Sequence, residues 1–448
     1  MGANDFTQGS EWRQIFKFAL PMLFGNLFMQ LYQLVDTMIV GQVLGTDALA
    51  AVGASTPVVF MTTALVTGIG IGASVVISQY FGAKKTENIQ LTADTLFIFL
   101  IGFGALITIA GLFFSDDILR LMQLPEEALP MGTEYLTVYL SGSILLFGYN
   151  SVAAILRGIG DSKTPLFFLI VASLLNVGLD FLFILVFDWG VRGAAWATVI
   201  SQGVSFLLSV WWVNRTNNLL KLKLLNLKFD KKIFRQCLNM GLPTGLQQTC
   251  VAVGMMVLMS IVNEFGTIIT ASYTAAQRID SLVALPVMNL AAALTTFAGQ
   301  NMGAGNIYRI KRGLKCTLLM VFITCLILNS LIIIFGSNIM KLFSQDPSVI
   351  EIGSKCLIVL NSFYIIFGTM FILNGLLRGV GATIFPMLTT LVALWFVRVP
   401  AALFLSEAFG YQGIWWSFPI GWTIGMLGST LYYISGRWKN YGIIKHEK

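Results

Sequence analysis

The chain has 448 residues, of which 56% are hydrophobic and only 11% are charged, with a formal net charge of +7. So few charges cannot cover a water-soluble surface of this size, which excludes an ordinary soluble enzyme. The positive balance sits on no soluble basic face, which excludes a nucleic-acid-binding protein.

Twelve apolar runs long enough to cross a bilayer follow one another (about 20 residues suffice). They lie at roughly 14–40, 49–79, 90–115, 133–156, 166–187, 193–213, 238–262, 270–300, 314–337, 353–376, 385–406 and 412–434. Backbone groups find no water partner in lipid, so these runs predict helices rather than open strands. The chain opens with Asp5 and Glu11 in place of a basic cluster and shows no cleavage site, so span 1 is expected to act as an uncleaved anchor. Trp12, Ile15 and Phe16 fit a short interfacial lead-in or the plain start of span 1. Pro21 in span 1 and Pro243 in span 7 each remove a backbone hydrogen bond and permit a bend.

The second half repeats the first. Ile77-Ser78-Gln79-Tyr80-Phe81-Gly82-Ala83 is echoed by Ala298-Gly299-Gln300-Asn301-Met302-Gly303-Ala304, 221 residues on. Leu156-Arg157-Gly158-Ile159-Gly160, closed by Pro165, is echoed at the same offset by Leu377-Arg378-Gly379-Val380-Gly381, closed by Pro386. Both read as tight helical hairpins, with glycine reversing the chain and proline opening the next helix. Between spans 6 and 7, residues 214–236 alternate apolar and basic side chains and are expected to lie on the membrane surface as an amphipathic linker. The expected domains are therefore residues 1–213, the linker 214–236, and residues 237–448. Six spans in each half is an even number, so the repeats are parallel and related by an axis along the membrane normal. Internal duplication of this kind is a transporter signature.

With the N-terminus inside, inner segments hold 22 of the 28 Lys and Arg, outer segments four, and Arg278 and Arg398 fall within spans. This positive-inside bias predicts both termini in the cytoplasm of a multi-pass plasma-membrane protein. The five cysteines show no metal-ligand spacing, and the single His446 lies in the C-terminal tail, so no histidine site or cofactor is expected.

Ionisable groups inside spans are costly and usually functional. Asp36, Asp180 and Asp280 are the clear cases, and Asp94 sits near the start of span 3. Tyr32 precedes Asp36 by four residues and Asn176 precedes Asp180 by four, each pair on one helix face. Spans 1 and 5 both run outward, which places the two acids in the outer half of the membrane, with Thr198 of span 6 at similar depth. The expected site joins two carboxylates, an amide, a phenol and a hydroxyl. Burial disfavours a charged carboxylate, and a second carboxylate disfavours two charges at once, so such a pair can carry a proton. Arg278 and Asp280 are two residues apart and do not face each other; with Arg398 they are candidates for ion pairs or for charges lining a cavity.

The twelve spans in two parallel halves, the stretch LYQLVDTMIVGQ in span 1, the SQYFGA element and the LRGIGDSKTP turn together resemble the multidrug and toxic compound extrusion (MATE) family, and its prokaryotic DinF-like branch most. The resemblance covers almost the whole chain. It implies an all-α membrane fold of two six-helix bundles around a central cavity, working by alternating access. It implies export of amphipathic, often cationic, organic compounds against inward protons or sodium ions, by a monomer whose partners are its small-molecule substrates and membrane lipid. Tyr32, Asp36, Asn176, Asp180 and Thr198 match the DinF-like polar cluster, joined by Asn150, with Asp36 and Asp180 in the proton-coupling role. Pro21 matches a proline whose bending is linked to protonation of the span 1 acid. Sodium-coupled relatives of the NorM type carry acids in spans 7 and 10. Here GLPTGLQQTCVAVG has none, and span 10 offers Asn361, Tyr364 and Asn374 instead. That departure favours protons over sodium, with sodium at the first-half cluster as the alternative.

Two other functions compete. A lipid-linked precursor flippase of the same superfamily needs more cavity cations than Arg278 and Arg398 to hold pyrophosphate. A non-transporting scaffold leaves the buried acids unexplained. No nucleotide loop, metal cluster or nucleophile arrangement points to an enzyme.

Overall fold

The computed structural model describes residues 4–217, 219–222 and 226–444. His446 and part of the expected linker lie outside the described residues. The described residues form helices and connecting turns, with no strand among them. In chain order they are α1 (Glu11–Ile39), α2 (Thr46–Gly82), α3 (Thr86–Leu121), α4 (Leu129–Ser141), α5 (Ser143–Gly158), α6 (Lys163–Asp180), α7 (Gly190–Thr216), α8 (Lys231–Asn263), α9 (Thr267–Gly303), α10 (Ile307–Met340), α11 (Pro347–Ser362), α12 (Tyr364–Val380), α13 (Ile384–Leu391), α14 (Val399–Phe409) and α15 (Tyr411–Ile434).

Each expected span has its counterpart. Span 4 is the pair α4–α5, bent by 49°, and span 10 is the pair α11–α12, bent by 51°. Gly142 at the first break packs so close to α7 that a Cβ there would stand 2.4 Å from Val199. Wider π-helical turns extend α1 (Val40–Leu44) and α6 (Phe181–Val186) and join α13 to α14 (Val392–Arg398). By length and hydropathy alone, nine helices among the described residues can cross a membrane, or eleven with each bent pair taken as one span. The remaining expected span is α15, where Trp415, Trp416, Trp422, Tyr432, Tyr433 and several glycines replace aliphatic residues.

Contacts divide the chain into two compact units. One holds Phe24–Gly245; the other holds Phe6–Leu23 together with the chain from Leu246 onward. The division therefore falls inside α1 and α8, not in the linker where the sequence repeat places it. The N-terminal halves of these two helices are each held by the opposite repeat, and the contacts show how.

In the first unit, Gly68 and Gly72 of α2 meet Gly241 and Gly245 of α8. A Cβ on Gly68 would lie 2.4 Å from the backbone nitrogen of Gly245, and one on Gly72 equally close to that of Gly241. Two small-xxx-small pairs thus bring two helix backbones together, as is common where lipid removes the hydrophobic drive for helix association. The Tyr80 hydroxyl also reaches Gln236 Oε1 at 2.9 Å. In the second unit the echo of that element binds the chain's own start. Gln300 Oε1 accepts from Phe6 N (2.8 Å), and Asn301 Nδ2 donates to Phe6 O (3.1 Å). The buried Phe6 ring packs edge-on against Phe18 and beside Phe297. Arg309 Nε donates to Phe6 O (2.9 Å), its Nη2 to Gln8 O and Gln14 Oε1, and its Nη1 faces Glu11 at 3.4 Å. Behind Glu11, α1 is continuous, so the lead-in reading of Trp12 to Phe16 gives way to the plain start of the helix.

The described part of the linker before α8 forms no helix. Leu220 and Leu222 are fully buried against protein. Gln90 exchanges hydrogen bonds with the backbone of Lys221, Asn214 does so with Leu222, and Asp94 and Thr95 accept from the backbone of Lys228 and Asp230. Polar side chains of α3 and α7 satisfy the strap's backbone, which is why it stays irregular. Asp94 is thus a strap anchor.

The LRGxG segments are the last turns of α5 and α12. The reversals follow at Gly160 (φ +86°) and Gly381 (φ +99°), in the left-handed region that glycine permits. Asp161 then caps α6, accepting from the backbone of Lys163 and Thr164, both at 3.0 Å. Pro165 and Pro386 sit in the first turns of α6 and α13, where a missing N–H costs nothing.

Candidate functional site

In the first unit, α6 ends its regular turns at Asp180, and the wider turn from Phe181 begins at the next residue. Asp180 is fully buried, and Asn176, one turn earlier, is 2% exposed. Asn176 Nδ2 donates to Thr198 Oγ1 of α7 at 3.4 Å. From α1, the half-buried Asp36 brings its carboxyl group to that of Asp180 at hydrogen-bonding range. Tyr32 lies within electrostatic reach of both acids.

The pair lacks donors. Asp36 Oδ1, both carboxyl oxygens of Asp180 and Asn176 Oδ1 are buried without a hydrogen-bond partner. A carboxylate only accepts, so two ionised carboxylates offer each other no hydrogen bond; with one proton between them they form one. Buried unsatisfied acceptors cost free energy. A shared proton gives the two acids one hydrogen bond between them.

Two phenols complete the group. Tyr135 and Tyr139 of α4 stack at 6.1 Å, and both lie within electrostatic reach of Asp36 and Tyr32. Four residues apart, they share one face of α4. The Asn150 Nδ2 donates to Leu146 O of its own helix at 2.9 Å.

The second unit carries a separate cluster. Tyr364 of α12 donates to Asp280 Oδ1 at 3.0 Å and approaches Asp280 O at 3.3 Å. Arg398 is buried with its guanidinium over the Phe418 ring. Arg278 is exposed on another face of α9. Asn374 Oδ1 of α12 accepts from Ser429 at 2.7 Å, while Asn361 of α11 donates its Nδ2 hydrogen to Leu357 O and its Oδ1 is orphaned. Gln247 of α8 bonds Thr390 at 2.7 Å. Among the described residues no group of three or more His, Cys, Asp or Glu is placed to hold a metal ion.

The MatE family model matches residues 21–182 and again residues 243–404, so each match begins at one of the paired prolines. The chain belongs to the multidrug and toxic compound extrusion (MATE) family. The probable multidrug resistance protein YpnP of Bacillus subtilis is 33% identical, over 98% of each chain. The probable multidrug resistance protein NorM of Thermotoga maritima is 27% identical, over 97% of this chain and 95% of its own. A solved structure of a multidrug resistance MATE family transporter of the MOP superfamily, in its outward-facing conformation, superposes with a TM-score of 0.90 at 26% identity, covering 97% of this chain and 98% of the other.

This MATE chain is therefore a multi-pass membrane transporter with the family's helical fold. Of the residues singled out from sequence, Tyr32, Asp36, Asn176, Asp180 and Thr198 gather in the first unit. Pro21 lies in the part of α1 held by the second unit, as do Asp280 and Arg398 in theirs.

Proposed function

We propose that this MATE transporter exports amphipathic, often cationic, organic compounds by alternating access, driven by protons that enter at the Asp36–Asp180 pair. The observation that carries the reading is the pair itself: adjoining carboxyl groups from two helices, with buried oxygens that no donor serves. One proton converts an unfavourable pair of acceptors into a hydrogen bond, and its loss reverses the change. A helix holding one of the acids then has two stable positions, biased by protonation. Tyr32, Tyr135 and Tyr139 supply hydroxyl groups nearby, and Asn176 and Thr198 fix the face of α6 against α7.

Sodium is the alternative ion. It favours several well-placed oxygen ligands. The helices that carry acids in NorM-type relatives have none here, which supports protons. The multidrug names of the relatives support an organic substrate. The protein is read as a monomer of the plasma membrane with both termini in the cytoplasm, needing no cofactor beyond its coupling ion. The test is efflux of a fluorescent organic cation from sodium-free proteoliposomes under an imposed pH gradient. Export without sodium is expected. Failure there, with recovery under a sodium gradient, overturns proton coupling.

A further inference from the structure

The second unit contains a buried charge that proton coupling leaves unused. Arg398 closes the π-helical turn before α14 and is only 8% exposed. Its Nε and Nη2 are buried with no hydrogen-bond partner. These two nitrogens share one edge of the guanidinium, the edge that grips a carboxylate through two parallel hydrogen bonds. Unserved donors of a buried cation are costly, so such a site is shaped for an anion.

The surroundings support this. Phe418 of α15 backs the guanidinium at 3.3 Å from its ring centre, and Gly421 leaves room for the side chain's stem. Tyr273 and Asp280 of α9 lie within electrostatic reach. Asp280 does not serve the free edge, because its carboxylate accepts from Tyr364 while Nε and Nη2 stay unpaired. Asp280 as a residue is partly exposed. Around it, Tyr364, Phe367, Phe418 and Trp422 form one connected set of aromatic rings. The four rings are themselves buried.

We propose that the free edge of Arg398 receives the carboxylate of a substrate, so that the second unit selects compounds carrying an anionic group, zwitterions included. The proposal rests on the transport function and is independent of the driving ion. Asp280 acts as the resident competitor for the same edge.

The test is equilibrium binding to the purified protein in detergent, at fixed pH and with no gradient. The probes are a zwitterionic fluoroquinolone and its ethyl ester, which lacks the carboxylate. The wild type should bind the acid more tightly than the ester; equal binding overturns the proposal whatever the variants do. Arg398→Gln should weaken the acid about tenfold or more and leave the ester nearly unchanged, the scale of losing a charge-assisted pair. Arg398→Lys, which keeps the charge but loses the fork, should show the same selective loss in smaller measure. Asp280→Asn should bind the acid at least as tightly as wild type. Equal losses for both probes in the Arg398 variants would mark a packing role and overturn the proposal. Proton coupling plays no part in this readout, so its failure in vesicles would leave the result standing.

Discussion

Pro21 and Pro243 occupy equivalent places in the two repeats: each lies in its helix two residues before the chain passes from one compact unit to the other, at Leu23–Phe24 and at Gly245–Leu246. A proline inside a helix removes one hydrogen bond and crowds the preceding turn, at a cost of about 3 kcal/mol. Each helix therefore has one defined place where it can bend.

Replacing either proline by alanine restores the missing N–H. Thermal stability is expected to hold or rise, while turnover falls several-fold for each variant and further for the double variant. Melting curves and efflux rates on the same preparations check this. Undiminished efflux by the double variant would show that the two prolines are dispensable for transport.

Asp36→Asn keeps the side chain's shape and supplies an amide donor to Asp180, but it cannot titrate. Folding should survive, because an orphaned acceptor gains a partner, while pH-gradient-driven efflux should vanish. Asp180→Asn should have the same sign and a smaller effect. Substrate binding by each variant should respond to pH less than, and over a different range from, the wild type, because one carboxyl still titrates, and the double Asn variant should lose the response.

Much of this site was legible before the structure. Asp36, Asp180, Tyr32, Asn176 and Thr198 could be gathered because intramembrane acids are rare and helix spacing assigns faces. Tyr135 and Tyr139 were missed because α4 is half of a broken span, and its phenols were not separable from the many packing aromatics by sequence alone. The Asn150 Nδ2 bonds its own helix, and nothing in a single sequence tells where a polar side chain places its hydrogen bonds. The repeat was visible as matched residues. The exchange of helix halves was not, because matched sequence reports duplication, whereas the units report contacts. The signal for it was present in Gly68, Gly72, Gly241 and Gly245, whose spacing permits close helix approach.

Tyr139→Phe removes a hydroxyl near the acids with little change of volume. Efflux should slow several-fold, and the pH of half-maximal rate should move, whereas Tyr149→Phe should leave that pH unchanged. Tyr149 spends its hydroxyl on Pro165 O at 3.0 Å, which ties α5 to α6. Pooled pH profiles of the two variants separate a role at the acids from a role in packing.

Arg309 and Glu11 form a nearly buried ion pair, with side chains 11% and 9% exposed. Arg309 also holds the Phe6 and Gln8 carbonyls. Removing one partner of a buried pair costs about 3–5 kcal/mol. Arg309→Gln should therefore lower the melting temperature clearly, and protease should cut the N-terminal segment faster. Glu11→Gln should cost less, since Arg309 keeps Gln14 and the two carbonyls. Equal stability of Arg309→Gln and wild type would remove the N-terminal clamp from the account.

The close approach of α2 to α8 gives the last test. A Cβ on Gly72 would meet Gly241 N at 2.4 Å and Cys237 O at 2.6 Å, and both are backbone atoms that cannot rotate aside. One methyl group must therefore push two helices apart and forfeit contacts along the whole crossing. Gly53, on the same helix, has nothing within 4 Å of an added Cβ. Alanine favours helix over glycine by about 1 kcal/mol, so Gly53→Ala should be neutral or slightly stabilising. Gly72→Ala carries the same propensity gain, so any loss it shows measures the clash alone. Its melting temperature should fall and its efflux should drop at least several-fold relative to Gly53→Ala. Gly241→Ala, whose Cβ would meet the Ile69 Cα at 2.6 Å, should behave like Gly72→Ala. If all three variants melt and transport alike, the two backbones are not held together at this crossing, and the part of α8 before Gly245 is fixed by something other than α2.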